Sequence, residues 1–165
     1  MDRQSDQALR AHLERLLQGR IAHMDLREVV AAFPEAAMNR APPNQHASAW
    51  HLLEHIRIAQ HDILQFVRHP DYRSPPWPEG FWPEPGARTD AAGWEATLQA
   101  IEQDLEAFLA LVRDAATDLL APLPHAPDYT VLREVLLVAD HNAYHLGELT
   151  ALRATLDIRP DSGWW

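Results

Sequence analysis

Proline divides this chain more sharply than any other residue. Of the thirteen present, most fall in three breaks: Ala41-Pro42-Pro43-Asn44, a stretch from His69-Pro70-Asp71 to Gly86, and a third from Pro122 to Pro127. Proline lacks the amide proton and crowds the carbonyl four residues back, so a helix does not run through such clusters. Around the breaks lie long segments with apolar residues at helical spacing, and none reads as a strand with period-two alternation. The expectation is an all-α chain, a four-helix bundle in one domain over residues 1–165.

Residues 6–18 place Leu9, Leu13, Leu16 and Leu17 on one side, with Gly19 as the stop. Asp25 suits the cap of a short helix through Val29, Val30 and Phe33, which Pro34 interrupts or restarts. Ser48 caps a strong helix to about Arg68, with Leu52, Ile56, Ala59, Ile63 and Val67 along its apolar stripe. Five prolines then share a loop with Tyr72, Trp77, Phe81 and Trp82. Those aromatic rings need a surface to lie on, so the loop is expected to pack across the bundle. Thr89 or Asp90 caps a third long helix reaching about Leu120. Thr130 caps the last, from Val131 to about Leu156, buried along Val131, Val135, Val138, Leu149, Leu152 and Leu156.

Composition removes several kinds of function. There is no cysteine, hence no disulfide framework, no thiolate metal site and no cysteine nucleophile. The formal charge is −10, and every basic residue is Arg with no basic run, which argues against nucleic acid as a partner. No apolar run reaches the roughly 20 residues that cross a bilayer. The polar start Met1-Asp2-Arg3-Gln4-Ser5-Asp6 lacks the apolar core of a signal peptide, so no membrane association and a cytoplasmic location are expected.

What chemistry remains lies with histidine. His141 and His145 stand four apart in Asp140-His141-Asn142-Ala143-Tyr144-His145-Leu146-Gly147-Glu148-Leu149, a spacing that stacks two imidazoles on one helical face. His145 falls near the middle of the apolar stripe and His141 at its edge. A lone buried histidine is most simply a hydrogen-bonded core residue; two stacked on one buried face need partners for four ring nitrogens, and a shared cation meets that need. On the Ser48 helix, His55 lies at the edge of the buried face and is the third ligand this facing selects. His61 points away from the core. His51 is either a surface residue or a partner of His55 one turn away. Glu148 can orient a ligand, serve as a fourth ligand or act as a general base, and Tyr144 can orient a ring or donate to a substrate. His125 enters from a loop or lies on the surface, and the terminal Trp164-Trp165 has no assigned place.

Three neutral ligands leave an open position, as catalytic sites do, where bound water or a substrate anion would be activated. A His-Glu-x-x-His metalloprotease is excluded because Asn142 stands where the Glu is needed. A di-iron bundle is excluded because the long helices carry no Glu-x-x-His pair.

Ala49-Trp50-His51-Leu52-Leu53-Glu54-His55-Ile56, taken with the last-helix motif, resembles the DinB/YfiT-like superfamily of metal-binding bundles, which are unrelated to the polymerase of similar name. The aromatic–proline loop from Asp71 to Pro83, Leu123-Pro124-His125 and Leu132-Arg133-Glu134-Val135-Leu136-Leu137 add to the likeness, which covers roughly residues 5–160. The resemblance implies up-down-down-up connectivity and one divalent metal ion, zinc or nickel, on His55, His141 and His145. It also implies a homodimer and, in some members, a transferase acting with a low-molecular-weight thiol such as bacillithiol or mycothiol. Three readings stay open: a metal-dependent thiol transferase or hydrolase acting on a small-molecule substrate, a non-catalytic metal-binding stress-response bundle, and a bundle with buried histidines and no metal.

Overall fold

A computed structural model describes residues 2–19 and 21–158. Trp164-Trp165 lies outside them. The described chain holds helices α1 (Arg3–Gln18), α2 (Leu26–Val30), α3 (Glu35–Met38), α4 (Ala49–Arg68), α5 (Ala91–Arg113) and α6 (Val131–Thr155), with a small hairpin of β1 (Pro122–Leu123) and β2 (Ala126–Thr130) before α6.

The ends follow side-chain chemistry. Ser48 accepts from the His51 amide to start α4, Asp90 from Gly93 to start α5, and Thr130 from Arg133 to start α6. Asp25 and Glu28 form a reciprocal capping box on α2. Gly19 ends α1 at φ 75°, a backbone conformation that glycine adopts without a side-chain clash.

Three expectations need correction. The first helix begins at Arg3 rather than residue 6, because Asp2 accepts from Ser5 and caps it earlier. The third long helix stops at Arg113 and not at Leu120: Asp114 takes an extended conformation and its carboxylate caps a turn by accepting from Ala116 and Thr117. The proline-rich stretch before α6 is not wholly irregular, for Pro122–Leu123 and Ala126–Thr130 pair antiparallel. Those strands are too short, and too interrupted by Pro124 and Pro127, for alternation to betray them.

Cross-helix bonds fix the directions. Glu54 pairs with Thr97, Gln60 with Ile101 and His61 with Asp104, a nearly constant offset that makes α4 and α5 parallel. His55 meets His145 while Gln60 meets Asn142, so α6 runs antiparallel to α4. Arg10 reaches the Thr117 carbonyl while Glu14 accepts from Arg113, so α1 runs antiparallel to α5. The four long helices α1, α4, α5 and α6 therefore run up, down, down and up, with the aromatic loop spanning the crossover between α4 and α5.

The core forms two clusters, one around Ile56, Ile101 and Leu149, the other around Leu13, Leu64, Phe108 and Val135. A cavity of about 210 Å³ touches both, through Ile56, Ile101 and Leu146 on one side and Leu17, Leu105 and Ala139 on the other. Asn142, which donates to Gln60, lines this cavity.

Candidate metal centre

His55, His141 and His145 converge, each offering a ring nitrogen within 4.8 Å of the others. His55 and His145 are 3 % and 7 % exposed, and His141 is half-buried. His55 Nε2 lies 3.1 Å from His145 Nε2 and 3.1 Å from His141 Nε2. Metal–nitrogen bonds of 2.0–2.1 Å at tetrahedral angles would place two ligand nitrogens about 3.3 Å apart, so the spacing suits one shared ion.

The opposite ring nitrogens decide what those contacts are. His55 Nδ1 donates to the Phe81 carbonyl at 2.7 Å, and a carbonyl only accepts. His145 Nδ1 donates to the Glu148 carboxylate at 2.6 Å. His141 Nδ1 faces Asn142 Oδ1 at 3.5 Å. The His55 and His145 rings thus keep their protons on Nδ1, the orientation of Asn142 favours the same for His141, and in that state three Nε2 lone pairs turn towards one another. Burial, with His145 beside it, holds His55 below the usual imidazole range. Burial and then its neighbours His145 and His55 push His141 down to about 4. These two rings are neutral at physiological pH, the state a metal ligand requires. Three facing lone pairs repel one another unless a cation lies among them, so the donor set fits a divalent metal ion.

The aromatic loop builds one wall. The Trp82 ring stacks on His55 with centroids 3.9 Å apart and planes 2° from parallel. A short 3-10 turn, Glu79–Phe81, presents the Phe81 carbonyl. Gly80 makes this turn possible, since a Cβ there would sit 2.5 Å from the Pro75 Cβ. The loop packs on the bundle, as the sequence leads one to expect. Trp77, 71 % exposed, meets only the edge of that packing, against Phe81.

The other candidates separate. Glu148 accepts from His145 Nδ1, the contact that an orienting partner makes. Tyr144 lays its ring edge-on to His145 and remains 65 % exposed. His61 is exposed and bonds Asp104. His51 bonds Ser48 Oγ through Nδ1 and stays outside the cluster. His125 bonds the Phe66 carbonyl at the far end of α4, well away from the centre. Sequence reasoning missed Phe81, Trp82, Gln60 and Asn142 as parts of the site. Trp82 carried a signal as an aromatic in a proline-rich loop; Gln60 carried one as a polar residue beside the Ile56–Ala59 stripe.

The sequence profile of the DinB superfamily matches residues 18–149, more than half the chain. The chain belongs to the DinB superfamily. Neither the curated proteins nor the solved structures gave a significant match. The three-histidine group of this DinB-superfamily chain spans two of its long helices, and those residues could hold a metal ion. Among the described residues, no helix is long and apolar enough to cross a membrane.

Proposed function

We propose that this DinB-superfamily protein holds one divalent ion, zinc or nickel, on His55, His141 and His145, and that it is a metal-dependent enzyme of small molecules. The reading favoured is a transferase working with a low-molecular-weight thiol, with a hydrolase as the companion possibility. One observation carries it: three Nε2 lone pairs converge while every Nδ1 faces an acceptor. Three protein ligands leave a position open, as in catalytic sites, whereas structural sites close with four. A divalent ion supplies Lewis acidity there, lowering the pKa of a thiol or water presented to it.

The chain's own residues shape that opening. Trp82 covers one face of His55, and the Phe81 carbonyl holds its proton on Nδ1. Glu148 does the same for His145, so its carboxylate is committed to orienting a ring. The alternative, a non-catalytic stress-response bundle with a saturated centre, needs a fourth protein ligand, and among the described residues the cluster contains three. Tyr144 and the partly exposed Glu148 border the His145 ring. With no cysteine in the chain, a nucleophilic thiol comes from the cosubstrate. A homodimer and a cytoplasmic location complete the proposal. Metallated protein incubated with bacillithiol, mycothiol or glutathione and a reactive electrophile tests it. Turnover above that of free metal, lost in His145→Ala, is expected; rates no higher than free metal for every thiol would favour the non-catalytic bundle.

A further inference from the structure

We propose that Gln60 is a positioning residue for the metal site, acting through Asn142 to fix which nitrogen of the His141 ring carries the proton. This rests on the metal reading above.

Gln60 is fully buried on α4, five residues beyond His55. Its Nε2 donates to the Ile101 carbonyl of α5 at 2.6 Å. A backbone carbonyl only accepts, so the orientation of the Gln60 amide is settled and Oε1 faces α6. There it accepts from Asn142 Nδ2 at 2.7 Å. The Asn142 amide is settled in turn, leaving Oδ1 towards His141 Nδ1 at 3.5 Å. An amide oxygen cannot donate, so it favours the proton on Nδ1, which leaves the Nε2 lone pair for the site. The direction of the relay is set at its first member, the Ile101 main-chain carbonyl on α5.

Without Gln60, nothing at that end selects the orientation of the Asn142 amide. Turned over, its Nδ2 would face His141 Nδ1, which must then accept, and the ring proton would move to Nε2. That proton would point at His55 Nε2 and cancel one ligand. Asn142, the residue that excludes the metalloprotease motif, here fills a different place: it transmits the α4–α5 contact to a ligand on α6. Loss of a partner that orients a metal-ligating histidine typically costs 10–100-fold in metal affinity.

The test uses full-length protein with labelled histidine. Long-range proton–nitrogen correlation on the metal-free form at neutral pH reads the tautomer of His141, and zinc titration reads affinity. Wild type should show His141 protonated on Nδ1. Gln60→Leu should show a mixture and bind zinc about 10–100-fold more weakly. Asn142→Leu, which leaves the α4–α5 bond intact and borders the 210 Å³ cavity, should behave the same way. Gln60→Leu combined with Asn142→Asp should recover the tautomer and most of the affinity, because a carboxylate accepts from Nδ1 whichever way it turns. An unchanged His141 tautomer and unchanged zinc affinity in both leucine variants, with only a lower Tm, would overturn the proposal. Wild type that takes no zinc while the tautomers shift as described would count against the metal reading and not against the relay.

Discussion

His55 Nε2 stands 3.1 Å from His145 Nε2, and neither atom has a proton to give the other. Both protons are on the far sides of the rings, held by the Phe81 carbonyl and the Glu148 carboxylate. The contact is therefore not a hydrogen bond. It is a pair of lone pairs brought together by groups behind them, and the behaviour expected of the protein follows from that arrangement.

Metal-free protein should lose stability on mild acidification. The folded state holds His55 below the ordinary imidazole pKa of 6.5 and His141 down to about 4. The unfolded chain, with ordinary imidazoles, thus binds more protons across that interval. Stability is complete above about 6.5 and falls as pH drops towards about 4. Urea midpoints of the apo protein over that range measure it; a midpoint that rises on acidification would contradict the assigned neutral rings.

Glu148→Ala should weaken the metal without removing it. The carboxylate orients His145 and is not itself in the cluster, so stoichiometry should hold while affinity falls about 10–100-fold. Competition against a chromophoric chelator reads both quantities. A complete loss of metal would make Glu148 a ligand.

The loop should matter to the metal at one remove. Gly80→Ala places a methyl group against Pro75 and displaces the turn that carries Phe81 and Trp82. Metal affinity should drop about tenfold or more, with helical circular dichroism nearly unchanged. Wild-type affinity in this variant would show that the Phe81 carbonyl is not needed to orient His55.

Much of this was legible in the sequence, for identifiable reasons. The proline breaks and caps at Ser48, Asp90 and Thr130 mark the long helices because those residues act locally on the backbone. His55, His141 and His145 could be brought together from helical phase alone, since stripes that face the core also face one another. The hairpin at Pro122–Leu123 and Ala126–Thr130 was not legible, because two short paired segments leave no periodicity. Nor was the end of α5 at Arg113: its apolar pattern continues to Leu119 and Leu120, while an Asp114 turn breaks the backbone between them. The supports of the site stayed hidden for a third reason. The Phe81 carbonyl carries no side-chain identity, and the Gln60–Asn142 bond joins residues 82 positions apart.

His61→Ala provides a control on the helix register. His61 is exposed and pairs with Asp104 on the face away from the cluster. Its loss should leave metal content unchanged and cost little stability, in line with the 0–1 kcal/mol typical of exposed ion pairs. Metal lost on this substitution would mean that α4 presents a different face to α6.

Elemental analysis of protein purified without a polyhistidine tag, as wild type and as His145→Ala, addresses the centre itself. Wild type should carry about one divalent ion per chain after incubation with zinc or nickel and removal of excess, and His145→Ala should carry almost none. Wild type that emerges metal-free from both ions, or a His145→Ala variant that retains its full complement, would contradict a three-histidine metal centre.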